Sequence, residues 1–301
     1  MKILICGGTG FIGSHLSEYL VKQGLQVTVL ARHKPKRLMP NMQFIIADLL
    51  KPELFKQEWF EGLDAIINLS GKSIFTIWSK KNKKAIWDSR VVTNENLVNF
   101  ISKLSHKPAV FISASAVGYY GDRGESELNE ESNHGQGFLS DLCVEWEKKA
   151  KEVEKSGIRS VQIRTAPVIG KGGGLMTQIL KSFKFGFTFI FDSGNHWFPW
   201  IHMYDLIHIY HLAIKDNTLS GPVNACSPYP TRFRDFIYHI KKFKKAFVIS
   251  FPSKVLKILL RETADVVLLS QKVIPEKLLQ KGFKFTYLQL NGALKEIFGT
   301  E

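Results

Sequence analysis

The chain has 301 residues, 45% of them hydrophobic and 23% charged, long enough to bury a substantial core in one large domain or two smaller ones. No apolar run reaches the length of a membrane span, and the opening residues read as a core strand rather than a signal peptide. The net charge of +14 comes from basic clusters at 34–37, 80–84, 148–151 and 241–245, whose dispersal reads as solvated faces and not as a nucleic-acid stripe.

Residues 2–6 are mostly apolar, the pattern of a strand buried on both faces. Gly7, Gly10 and Gly13 follow at G-x-x-G-x-x-G spacing, and Ile12, Leu16, Tyr19 and Leu20 then recur at helical period. Strand, glycine turn and helix in this order aim unpaired N–H groups and the positive end of the helix dipole at one point, where a pyrophosphate can sit. Gly7 permits the turn, Gly10 lets a ligand approach the backbone, and Gly13 lets the helix pack on the sheet.

A second strand is expected at 26–30, ending at Ala31 and Arg32. A fold that prefers NAD places a carboxylate here for the ribose 2′-hydroxyl, whereas this chain offers Arg32, Lys34, Lys36 and Arg37. A guanidinium fork binds a 2′-phosphate, so the expected cofactor is NADP. Strands at 43–47, with Asp48 and Leu49 at the adenine position, and at 64–69, followed by Ser70 and Gly71, continue the pattern. A long helix over 80–104 carries Arg90 within reach of the cofactor. A fifth strand at 109–113 leads to Ser115, Tyr119 and Tyr120, an acidic loop spans 121–137, a helix 138–156, and a sixth strand 160–164. Strands alternating with helices argue for a doubly wound parallel α/β sheet.

The second half differs. Gly172–Gly174 reads as a flexible turn, 183–191 is rich in aromatics, and Asp205 is expected to cap the helix that begins near it. The expected division is a dinucleotide-binding Rossmann domain at 1–168 and a smaller substrate or lid region at 169–301, partly interleaved with it. Trp146, Trp197, Trp200 and His202 are the candidate substrate residues, since an aromatic pocket suits a flat or apolar substrate. Cys6, Cys143 and Cys226 lack metal-ligand spacing. No metal is expected, and a reducing cytoplasm fits the cysteine usage.

With these residues laid out, GGTGFIG (7–13), the Ser115–Gly121 turn, RTAPV (164–168) and WIHMYD (200–205) together resemble an extended-type short-chain dehydrogenase/reductase. SGKSI (70–74), DSRVVT (88–93), FLSDLCVEWE (138–147), GNHWFPWIH (194–202) and SQKVIPEKLLQKGFKF (270–285) narrow the resemblance. They are similar to the atypical branch of epimerase-family proteins, the nucleoside-diphosphate-sugar epimerase-like oxidoreductases, and the last resembles that branch's own C-terminal segment, expected here at 248–298. The resemblance implies NADP contacts at Gly7, Gly10, Phe11, Ile12, Arg32, Leu69, Ser70, Arg90 and Val168.

One departure bears on chemistry. Ordinary members carry Tyr-x-x-x-Lys on the helix after the acidic loop, where the lysine holds the ribose and lowers the tyrosine pKa. Phe138 and Leu142 stand at those two positions, and neither can move a proton. Three readings follow: an NADP-dependent oxidoreductase on an unknown carbonyl using Ser115 with Tyr119, Tyr120, His134 or His202; a nucleotide-sugar epimerase or dehydratase; or a non-catalytic NADP(H) sensor or scaffold. The expected partner is a small molecule, with neither nucleic acid nor membrane, and the chain a monomer or homodimer.

Overall fold

Ile3, Leu4, Ile5 and Cys6 are fully buried, as an apolar run covered on both faces must be. They lie in β1 (Lys2–Cys6) of a computed structural model that describes residues 1–34, 40 and 42–299. Lys36 and Arg37 lie outside the described residues. In chain order follow α1 (Phe11–Lys22), β2 (Gln26–Ala31), β3 (Met42–Ile46), β4 (Ala65–Asn68), α2 (Lys80–Trp87) and α3 (Thr93–Ile101). Then come β5 (Val110–Ala116), α4 (Phe138–Lys151), β6 (Arg159–Thr165), α5 (Gly174–Lys184), α6 (Met203–Lys215), β7 (Gly221–Ala225), α7 (Phe233–Lys241) and α8 (Ser253–Leu260).

The seven strands form one sheet in the order β3-β2-β1-β4-β5-β6-β7, parallel throughout. This is a Rossmann-like doubly wound sheet, with its order reversing between β1 and β4. Alternation along the strands sorts the core. Ile3, Ile5, Val27, Val29 and Ile67 face α1 and α6 on one side, while Leu4, Cys6, Leu30, Ile66 and Phe111 face α3 and the end of α4 on the other. The seventh strand comes from beyond residue 168, and it carries Asn224 into the buried network described below.

A separate apolar cluster holds the second half together, with Met176 and Phe183 of α5, Phe236 and Ile240 of α7, Trp200, and Leu294 of the last helix, Leu290–Phe298. The acidic loop is tied to this half: Arg232 forms a forked pair with Glu125, and Glu127–Leu128 pairs in parallel with Lys272–Val273. Gln271 donates to the carbonyls of Val117 and Gly121, so the motif at 270–285 fixes the loop after β5.

Three local expectations are corrected. The helix expected over 80–104 ends at Ile101 and is interrupted by a π-turn at Asp88–Val92, which offsets Arg90 from a regular helical register. Gly173 and Gly174 are close-packed and not simply flexible: an added Cβ would stand 2.3 Å and 2.8 Å from the Phe11 ring. Asp205 does not cap α6. His202 does, accepting from the Tyr204 N–H, while Asp205 accepts from the N–H groups of Thr286 and Tyr287 and so anchors the C-terminal segment.

Candidate cofactor and substrate site

Gly7 adopts φ 78°, and a Cβ there would lie 2.9 Å from the backbone of Leu69 and Ser70. A Cβ on Gly13 would lie 2.4 Å from the Gly7 carbonyl oxygen. The glycines therefore let three backbones converge at the carboxyl ends of β1 and β4. Gly10 precedes α1 in extended conformation, with no side-chain cap and no acidic residue in the first turn. The helix's first N–H groups are left for an external acceptor, the arrangement that binds phosphate.

A cavity of about 210 Å³ opens here, lined by Gly7, Gly10, Ala31, Arg32, Asp48, Leu49, Leu69 and Ser70 among others. The larger hollow of about 990 Å³, lined by Gly24, Gln26 and Glu58, is at the opposite, amino-terminal edge of the sheet and has no such convergence of backbone donors. Arg32 is exposed at the end of β2 and has no ion-pair partner among the described residues. The Asp48 carboxylate is turned to its own loop, accepting from the Leu50 N–H at 3.1 Å. Beneath the Leu69–Ser70 turn, the Asn68 amide donates to Asn94, and the Asn94 amide to Ser113 and the Trp146 carbonyl, all buried. This chain fixes the floor of the site, since each amide would be costly to leave unpaired.

Arg90 lies behind the same turn. It donates to the carbonyls of Lys72 at 2.9 Å and Ile86 at 3.3 Å, and its guanidinium sits 5.3 Å over the Trp146 ring. No carboxylate pairs with it among the described residues, and burial lowers its pKa to about 10. It supports the Gly71–Lys72 backbone and lines neither cavity.

On the other side of the start of α1 is a cavity of about 260 Å³, lined by Phe11, Ile12, Gly118, Leu139, Val168, Phe198 and Val266 among others. It is strongly apolar, and Asp265 is its one titratable lining residue among those described. Burial raises the Asp265 carboxyl, with smaller effects from Lys257, Glu262 and Asp122. Nothing near Asp265 in the sequence marks it. A lone carboxylate in the stretch 264–269 acquires its position only when the segment folds back over Val117.

The residues nominated for catalysis fall into a buried network. Ser115 donates to Glu147 at 2.6 Å, and Arg164 clasps the same carboxylate through Nε and Nη2, each at 2.8 Å. Arg164 also donates to the Tyr120 hydroxyl, whose single proton faces two acceptors, the Asn224 amide oxygen at 2.7 Å and the Asn129 carbonyl at 2.9 Å. Tyr120 is fully buried, and burial raises its hydroxyl pKa despite the opposing effect of Arg164. The Arg164 guanidinium carbon lies over the Tyr119 ring, 3.5 Å from the ring centroid. Ser115, Tyr119 and Tyr120 are thus brought together, but none lines either cavity.

Trp146, Trp197, Trp200 and His202 do not line the apolar cavity, whose aromatics are Phe11, Phe75 and Phe198. Trp146 packs on Arg90, Trp200 belongs to the second core, and Trp197 donates to Glu125 while Arg232 covers its ring at 3.8 Å. His202 is buried against Tyr287, its Nε2 3.3 Å from Glu296. His134 is exposed. Phe138 packs edge-on against Trp78, and Leu142 is buried in the same cluster, so hydrocarbon fills the face on which a Tyr–Lys pair would stand. All three cysteines are buried and unpaired, and Cys143 is pushed up to about 12 by burial. Among the described residues no cluster of His, Cys, Asp and Glu could hold a metal, and no helix is long and apolar enough to cross a membrane.

With this geometry in view, the comparisons with known proteins are consistent over the whole chain. Residues 3–229 match the NAD dependent epimerase/dehydratase family, and residues 251–297 match a C-terminal domain of unknown function, DUF1731. The epimerase family protein YfhF of Bacillus subtilis is 33% identical over 299 residues, covering 99% of this chain and 98% of its own length. Human epimerase family protein SDR39U1 is 32% identical, covering 99% of each. The crystal structure of human SDR39U1 (isoform 2) with NADPH superposes with a TM-score of 0.87 at 30% identity, covering 100% of both chains. The glycine turn, the switch-point cavity and these similarities together establish that the chain belongs to the NAD dependent epimerase/dehydratase family, in its atypical short-chain dehydrogenase/reductase branch.

Proposed function

We propose that this protein is an NADP(H)-dependent reductase of a small, apolar carbonyl compound, with Asp265 as the proton source in place of a tyrosine–lysine pair. The observation that carries the reading is the pair of cavities on either side of the start of α1. One presents glycine backbone, unsatisfied helix N–H groups and Arg32 without a carboxylate at the end of β2. The other is apolar and holds a single carboxyl raised by burial.

Gly7, Gly10 and the first turn of α1 would hold the pyrophosphate, and Arg32 the 2′-phosphate. When bound, the cofactor supplies a hydride. The apolar walls exclude water from the place where hydride and proton are delivered. A polyhydroxylated sugar would leave its hydroxyls unpaired against Phe11, Val168 and Leu139, which disfavours the nucleotide-sugar epimerase or dehydratase reading. The NADPH in the human relative's structure supports the cofactor preference.

Two measurements test this. Arg32→Ala should weaken NADPH binding by about 10- to 100-fold and leave NADH nearly unchanged, measured by titration calorimetry, because a charge-assisted contact of about 1.5–3 kcal/mol is lost. Equal affinity of the unaltered protein for the two cofactors would sink the phosphate argument. NADPH oxidation should be followed over a panel of aldehydes, ketones and quinones. Asp265→Asn should cut turnover by about 10²–10⁴-fold without changing cofactor affinity. The unaltered protein should slow as pH rises through the raised Asp265 pKa, since the acid form donates.

The second reading, a non-catalytic NADP(H) sensor, is favoured by one observation, the hydrocarbon packing of Phe138 and Leu142. Tight NADPH binding with no turnover on the whole panel, and a partner captured only in the presence of cofactor, would select it.

A further inference from the structure

Residues Phe187–Phe191 and Phe247–Phe251 form a two-stranded parallel ribbon outside the main sheet, with Phe187 beside Phe247, Phe189 beside Ile249 and Phe191 beside Phe251. Thr188 and Ile190 are buried, Phe187 and Phe189 alternate with them on the outer face, and Phe191 turns inward to stack on Phe233 at 5.8 Å. Rings run along that face: Phe185 stacks on Phe187 at 6.3 Å, Phe187 meets Phe189 at 5.5 Å, and Phe189 meets Phe251 at 6.0 Å. Phe185 is 77% exposed and Phe247 is 82% exposed. Directly after the ribbon, α8 buries Leu256 and presents Ile258, 77% exposed, with Leu259 and Val255. The rings from Phe185 to Phe251 form one continuous run, and exposed apolar side chains in this number, there and on the helix that follows, mark an interaction site.

Its frame is cationic. Lys181 and Lys184 precede Phe185, Lys244 and Lys245 precede Phe247, and Lys254 and Lys257 stand on α8 beside the exposed leucine and isoleucine. None of these lysines is within ion-pair distance of a carboxylate among the described residues. Of the nearby acids, Asp192 accepts from the Ser253 N–H, Glu262 pairs with Lys83, and Asp265 feels Lys257 from beyond ion-pair distance.

We propose that this face docks the protein on an anionic lipid bilayer, with the rings and the apolar residues of α8 entering the boundary between headgroups and acyl chains and the lysines meeting lipid phosphates. A second copy of the chain suits the face poorly. A two-fold contact would place the same lysine frame on both sides, like charge against like. Lying on a bilayer needs no spanning helix, so the run-length argument from sequence excluded a span and not a surface contact.

The test is flotation of the full chain with vesicles of phosphatidylcholine alone and of phosphatidylcholine with phosphatidylglycerol. Binding is expected only to the anionic vesicles and should fall as salt rises. The double variant Lys254→Glu/Lys257→Glu should lower the partition coefficient by about 20-fold or more, from the contribution of each surface lysine. Ile258→Asp/Leu259→Asp should abolish flotation with an unchanged circular-dichroism melting curve, because both side chains already stand in solvent. Equal capture by both vesicle types, capture by neither, or flotation indifferent to Ile258→Asp/Leu259→Asp would overturn the proposal. So would a sedimenting dimer that this variant dissociates in the absence of any lipid binding, which would assign the face to self-association.

Discussion

Replacing Gly13 with alanine is expected to reduce NADPH affinity by about 100-fold or more, equivalent to about 3 kcal/mol, while leaving most of the fold in place. The added Cβ would stand 2.4 Å from the Gly7 carbonyl oxygen and 2.6 Å from the Gly8 Cα. Both are backbone atoms, so no side chain can swing aside. Either α1 moves away from β1 or the turn opens, and each movement displaces the N–H groups proposed to hold the pyrophosphate. Titration calorimetry with NADPH, alongside the variant's unfolding curve, separates the two costs. The stability loss should resemble that of an overpacked core site, about 1–3 kcal/mol. Undiminished affinity would show that the phosphates are held elsewhere.

The largest stability effect is expected at Glu147. Its side chain is 12% exposed and that of Arg164 is 3% exposed, so the pair is closed to solvent. Burial works against the charge on Arg164, and the Glu147 carboxylate more than offsets it, holding the guanidinium above its ordinary pKa. Glu147→Gln keeps the shape and removes the countercharge, leaving a buried cation that also lies against Tyr119 and Tyr120. The expected loss is about 3–5 kcal/mol in urea unfolding at neutral pH. Replacing both partners with hydrocarbon, as in Glu147→Leu/Arg164→Met, should cost much less, because no charge is stranded. A single variant as stable as the original would mean that water already reaches the pair.

The glycine turn and the backbones that converge on it were legible because every feature that makes them is local. Strand, glycines and helix occupy the 21 consecutive positions from Lys2 to Lys22, and Arg32, the residue proposed to select the cofactor, stands at the end of the very next strand. The residues proposed from sequence for catalysis were less legible, because their partners meet them only through tertiary structure. The fate of the Tyr120 hydroxyl is decided by Arg164, 44 positions away, and by Asn224, 104 positions away. Ser115 looks like a free hydroxyl until α4 brings Glu147 across to it, 32 positions on. Local propensity also misjudged Asp205. An acid near a helix start suggests a cap, yet the partners of this one arrive from Thr286 and Tyr287. The tryptophans were plausible pocket walls by composition, and packing used them as core and cation-stacking surface instead, leaving the cavity to phenylalanine and aliphatic residues.

The late origin of β7 has a consequence for how the protein is made. During synthesis, a nascent chain that has emerged only as far as β6 has a sheet with an open edge, and Tyr120 and Glu130 lack the Asn224 groups they bond in the finished protein. A ribosome would have to extend the chain past residue 225 before that edge could close, and further still before Lys272–Val273 could settle beside Glu127–Leu128. The sheet that carries the glycine turn is therefore not a unit that can be completed first and stored while the rest is translated. Its final form waits until residues 272–273 have been made, and until then the unpaired strand edge is a place where nascent chains can join one another.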